Sequence, residues 1–142
     1  MQDKHVVSSY WALRVALGVV PIVAGLDKFT NLLADWEGYI SPLARAVLPV
    51  SGTTFMHVAG IVEIVVGAGI LLGRARVFGW VAMGWLVAIA LNLVSSGRFL
   101  DVAARDVVMA VAAFALARLA VLVETVRVTA AQPARSSAAA HA

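Results

Sequence analysis

Apolar residues fall into four long runs along the chain, separated by short polar breaks. The runs extend from about Tyr10 to Phe29, Phe55 to Leu72, Val77 to Val94 and Val102 to Val123. A hydrocarbon core about 30 Å thick takes about 20 apolar residues in helix. Backbone polar groups cannot stay open in lipid, so runs of this length predict membrane-spanning helices. The weak alternation of short barrel strands is not what the chain shows. Two of the breaks are brief, Gly73-Arg74-Ala75-Arg76 and about Ser95 to Asp101. Short links make antiparallel neighbours, so the expected fold is all-α, a four-transmembrane-helix up-down bundle.

The first break, about Thr30 to Thr54, is longer. Within it Ser41-Pro42 can start a helix and Pro49 can end one. Leu43, Ala44, Val47 and Leu48 give that segment an apolar side. Trp36 and Tyr39 suit the membrane interface. The loop is expected on the outer face, against the membrane surface or capping the bundle. The division is a four-helix transmembrane domain over 1–128 and a low-complexity tail over 129–142, of a composition that does not pack a core. The n-region before the first run holds only Lys4, and Asp27-Lys28 stands where a cleavage site would have small residues, so this run reads as a retained helix.

Composition agrees with this pattern. Of the 142 residues, 62% are hydrophobic and 13% charged, against about 25% charged in a soluble domain. Mean hydropathy is +0.93. The net charge is +3, but the basic residues are scattered, so no nucleic-acid surface is read. With no cysteine, disulfides, thiol redox chemistry and thiolate metal sites are excluded. Lys4, Arg74, Arg76, Arg127 and Arg135 fall on one side of the alternating topology. Lys28, Arg45, Arg98 and Arg105 fall on the other, which places both termini in the cytoplasm of a bacterial plasma membrane.

Candidate chemistry lies in the polar residues inside the runs, since ionisable groups there are costly and turn to the bundle interior. Arg14, Gly18, Pro21, Gly25 and Lys28 recur at steps of three and four, one stripe of the first helix. The glycines let another helix approach closely. Gly60, Glu63 and Gly67 make a similar stripe on the second helix, with Glu63 near mid-membrane. Gly84, Ala88 and Asn92 align on the third, and Asp106, Ala110, Ala113 and Ala117 on the fourth. Alternating topology gathers Lys28, His57, Asn92, Arg105 and Asp106 toward the outer face, with Glu63 below them and Arg14 in the inner half. Glu63 must be paired, protonated or wetted. Lys28 and Arg14 are its candidate partners, each roughly 10 Å away along the axis. The cluster reads in three ways: an ion pair fixing helix register, a pocket for a ligand or quinone headgroup, or a proton-transfer site at Glu63. His5 and His141 lie in the terminal segments, so His57 has no second histidine in the bundle for a bis-His haem. Trp11, Trp36, Trp80 and Trp85 read as belt and packing residues. There is no phosphate loop, zinc motif or hydrolytic carboxylate pair, so no metal ligands and no catalytic residues are assigned.

Three segments resemble the DoxX-like (DoxX/DoxD) membrane protein family. WALRVALGVVPIVAGLDKF is similar to its opening helix, HVAGIVEIVVGAGILLG to its second, and RDVVMAVAAFALARL to the last helix of some members. The resemblance spans Trp11 to Leu119. It implies a four-helix integral membrane bundle tied to redox work: DoxD-type relatives are subunits of a quinone-reducing thiosulfate oxidoreductase, and other members belong to oxidative-stress complexes. It implies a polar core of Arg14, Lys28, Glu63 and Asp106. The absence of cysteine argues against thiol handling, and electrons would come from a partner. The expected role is an accessory subunit of a membrane redox or respiratory complex, not catalytic alone. Such a chain holds no cofactor by itself, with a quinone as candidate ligand, and its partners are the lipid bilayer and either other subunits or copies of itself. The alternatives are a quinone-coupled oxidoreductase subunit in its own right and a small-molecule transporter working as a homo-oligomer.

Overall fold

The computed structural model describes residues 2–139, and side chains for residues 4–126. Every regular element among the described residues is helical. The elements are α1 (Gln2–Asp27), a 3-10 turn (Trp36–Tyr39), α2 (Pro42–Val47), α3 (Gly52–Gly69), a wide helical turn (Ile70–Arg74), α4 (Ala75–Ser95) and α5 (Leu100–Ala139). Helix α1 starts ahead of its apolar run, and α5 continues beyond Val123 through much of the alanine-rich tail. Both extensions continue helices already nucleated by the apolar runs, where adding a residue costs less than starting a helix. His141 lies outside the described residues, as do the side chains of Arg127 and Arg135 used above for orientation.

Three helical runs are long and apolar enough to cross a bilayer by length and composition: Lys4–Asp27, Gly52–Ser95 and Leu100–Val126. The middle run is 44 residues long and is broken at Gly73, whose φ of 101° is a left-handed value that glycine adopts without a Cβ clash. Past this break the chain folds back: Trp85 Nε1 donates to Glu63 Oε1 at 3.4 Å, and the two residues lie equally far from Arg74 on either side. The break frees carbonyls at the end of α3. Arg14 takes them, its Nε donating to Ile70 O at 2.9 Å and a terminal nitrogen to Leu71 O at 2.7 Å.

Helix α1 packs along α3 and α4 along α5, and α1 also meets α5. The α1–α3 contact uses the predicted glycines. A Cβ on Gly25 would sit 2.5 Å from Gly60 O, and one on Gly60 would sit 2.6 Å from Gly25 O. Two turns back along α1, a Cβ on Gly67 would meet Gly18 O, whereas one on Gly18 would meet the Leu71 side chain. Between α4 and α5 the close approach is at Gly79, against Ala113 and Ala117, whereas nothing lies within 4 Å of a Cβ on Gly84. The stripe read through Gly84 therefore makes no contact at its glycine.

A core of Tyr10, Leu17, Ile70, Ala75, Leu116 and Val123 fills the end of the bundle holding the Ile70–Arg74 turn. At the opposite end Ser41 caps α2, its hydroxyl accepting from Ala44 N at 3.0 Å. Asn92 ties this loop down: Nδ2 donates to Tyr39 O at 2.7 Å, and Oδ1 accepts from Ser41 N at 3.1 Å. The rings of Tyr39 and Phe99 lie 4.5 Å apart, bringing in the start of α5.

Candidate ligand cavity

Helix α1 ends at Asp27, where a carboxylate opposes the helix dipole. Four donors offset this. Thr30 Oγ1, Leu32 N, Leu33 N and Trp36 Nε1 all donate to Asp27, the last at 2.7 Å. Holding Trp36 there lays its ring on the next residue, with Lys28 Nζ 3.7 Å from the ring centroid. Lys28 then reaches back along α1 to Glu63, Nζ to Oε2 at 2.6 Å. Lys28 is 5% exposed and Glu63 7%, so the pair is buried and desolvation makes the loss of either partner costly. Trp85 on α4 takes the other carboxylate oxygen. One polar chain thus links α1, the first loop, α3 and α4.

These groups border a cavity of about 760 Å³ that reaches into all four long helices. Its walls are mainly apolar, with Val20 and Val23 on α1, Met56 on α3, Leu86 and Ile89 on α4, and Met109 on α5. Its polar groups are Lys28, Glu63, Trp85, Asn92, Arg105 and Asp106, with Trp36 and Tyr39 of the loop. Asp106 is 5% exposed, and its Oδ1 lies 3.5 Å from Arg105 Nε, whose side chain is largely exposed. Each cavity carboxylate has a cation beside it, so formal charge among these four groups balances. A charged ligand finds no uncompensated partner here, whereas a neutral head with carbonyl or hydroxyl groups finds donors and acceptors. Ligand pockets have this character, apolar walls with a few placed polar groups, and run to about 300–1,000 Å³. Among the described residues, no three histidine or carboxylate side chains group as a metal site.

Five of the seven sequence candidates, Lys28, Glu63, Asn92, Arg105 and Asp106, border this one cavity. Arg14 and His57 do not. Arg14 holds the carbonyls of Ile70 and Leu71, with its guanidinium 4.6 Å from the Trp11 ring centroid and a hydrogen bond to Tyr10 Oη at 3.3 Å. His57 is half-buried and stacks on Phe29, ring centroids 4.8 Å apart. Of the two proposed partners of Glu63, Lys28 is the one engaged. The sequence pattern does not mark Asp27, and it makes Trp36 and Trp85 belt or packing residues, whereas both rings border the cavity. The signal for Asp27 was its place just before Lys28, with a threonine and further loop amides following within reach of its carboxylate.

A family model for DoxX matches residues 10–96. The chain belongs to the DoxX family. The match covers α1 from Tyr10 through α4, so it carries Arg14, Lys28, His57, Glu63 and Asn92. It stops before α5, so Arg105 and Asp106 of this DoxX protein lie beyond it. No curated protein and no solved structure matches the chain.

Proposed function

We propose that this DoxX protein crosses the bilayer four times, with both termini cytoplasmic, as an accessory subunit of a membrane redox or respiratory complex. Its cavity contributes a wall of a quinone site. The observation that carries this reading is the cavity itself: apolar walls, balanced charge, and hydrogen-bonding groups near the loop. The volume and donor set fit a quinone head with part of its tail. A bound quinone would supply the electron-accepting chemistry. The chain's own residues would position it, with Lys28 as donor to a quinone carbonyl and Glu63 and Asp106 as acceptors for the hydroxyls of the reduced quinol. Splitting Gly52–Ser95 at Gly73 supports four crossings, since 44 residues of helix would extend about 66 Å, twice the hydrocarbon thickness.

The test is purification of the tagged protein in mild detergent, with mass spectrometry and absorbance spectra of the intact particle. Co-purifying subunits that carry haem, flavin or iron–sulfur absorbance are expected, with quinone in the organic extract. Glu63→Gln should then lower quinone-linked turnover of that particle. A lone, colourless homo-oligomer without quinone would overturn the reading and favour transport.

A further inference from the structure

The cavity has two ends and a side. The end toward the Ile70–Arg74 turn is filled by the core of Tyr10, Leu17, Ile70 and Leu116. The other end is covered by the loop, where Leu33, Ala34, Trp36 and Tyr39 line it. That cover is fastened at two points, Asn92 to the backbone of Tyr39 and Ser41, and Asp27 to Trp36. The side differs. Val20 and Val23 line the cavity, yet each is 47% exposed. They stand about 11 and 6 Å along α1 from Asp27, at 1.5 Å rise per residue, a depth where the surroundings are acyl chains. Helices α1 and α5 share the core half through Tyr10 and Leu17 on one and Ala113 and Leu116 on the other. In the hollow half they line the cavity from Val20, Val23 and Lys28 on one and Val102, Asp106 and Met109 on the other.

We infer that the cavity opens sideways into the bilayer between α1 and α5, and that it takes up a neutral, lipid-dissolved amphiphile from the membrane. The inference rests on the proposed quinone site only for the identity of that amphiphile. The head passes the Asp106–Arg105 pair and comes to rest against Lys28, Glu63 and Trp85. The tail stays between Val20, Val23 and Met109, continuous with lipid.

Because the chain has no cysteine, a single one takes a spin label alone. Met56→Cys places the label on the cavity wall of α3, and Met109→Cys gives a second placement on α5 should the first not fold. In vesicles, the label is expected to collide with dissolved oxygen, which partitions into lipid, and not with a water-soluble nickel chelate. Val23→Trp at the opening should cause loss of the oxygen contact. Strong contact with the chelate would overturn the inference by showing that the cavity opens to water. Contact with neither reagent would overturn it by showing a sealed cavity, and oxygen contact indifferent to Val23→Trp would overturn the placed opening. Decylubiquinone added to the same vesicles separates the two readings. Slowing of the label supports both, while oxygen contact without slowing keeps the side opening and removes quinone as the occupant.

Discussion

Arg14 and Lys28 stand on the same stripe of α1 but serve opposite halves of the molecule. Arg14 sits where the bundle is filled, and it donates to backbone carbonyls left open by the break at Gly73. Lys28 sits where the bundle is hollow, and it meets a carboxylate beside a cavity. The first cation completes a helix end, with aromatic rings against it. The second holds a charge pair in place next to space that a ligand could use. Buried ion pairs are weak contributors to stability and good devices for register. The Lys28–Glu63 pair can do both jobs, fixing α1 on α3 and presenting polar atoms to the cavity.

The largest expected effect breaks that pair. Lys28→Ala leaves Glu63 buried without its cation and should destabilise the protein by about 3–5 kcal/mol, read as thermal unfolding in detergent. Adding Glu63→Gln should recover most of the loss. A Lys28→Ala variant as stable as the parent would mean that Glu63 is wetted rather than paired.

Truncation next separates the halves. Leu116 is fully buried in the filled half, so Leu116→Ala should cost about 2–5 kcal/mol. Met109 borders existing space, so Met109→Ala should cost less than Leu116→Ala, since it enlarges that space instead of opening a new cavity. Equal losses at the two positions would remove the distinction between a filled and a hollow half.

Much of this contrast was legible in the sequence. The three-and-four spacing marked the stripe, and its glycines at 18 and 25 meet Gly67 and Gly60. The choice of partner for Glu63 was not legible. The glycine register sets Lys28 level with His57, and Arg14 level with Leu71. Each cation therefore lies several residues from Glu63 along the axis, and distance alone does not decide. What decides is that Arg14 has closer acceptors in the Ile70 and Leu71 carbonyls, which exist only because the chain breaks at Gly73. The roles of Asp27, Trp36 and Asn92 were also hidden. They depend on how the first loop folds over the bundle, and loop geometry leaves no periodic trace. His57 belonged to the right end of the molecule, but its ring turns to Phe29 instead of the cavity.

The loop itself gives a smaller effect. Asn92→Leu removes both hydrogen bonds to the loop and should cost about 1–3 kcal/mol. Hydrogen exchange should quicken over residues 30–50 while the filled half keeps its protection. Uniform quickening would show that the loop and bundle open as one unit. The smallest effect is at α4. Gly84 has open space around it, so Gly84→Ala should stabilise by about 0.5–1 kcal/mol through helix propensity. Gly60→Ala should destabilise, because its methyl would meet the Gly25 carbonyl. A neutral Gly60→Ala would mean that the tight α1–α3 contact is wrong, and a neutral Gly84→Ala that its surroundings are not open.

Central to this account is that the hollow half holds a neutral amphiphile. Native mass spectrometry of the protein released from lipid nanodiscs, with decylubiquinone present, tests this most directly. A one-to-one adduct is expected on the parent protein. That adduct should be lost in Ala59→Trp, which fills the cavity beside Glu63, and retained in Leu116→Ala. An adduct that persists in Ala59→Trp, or none on the parent at saturating quinone, would contradict it.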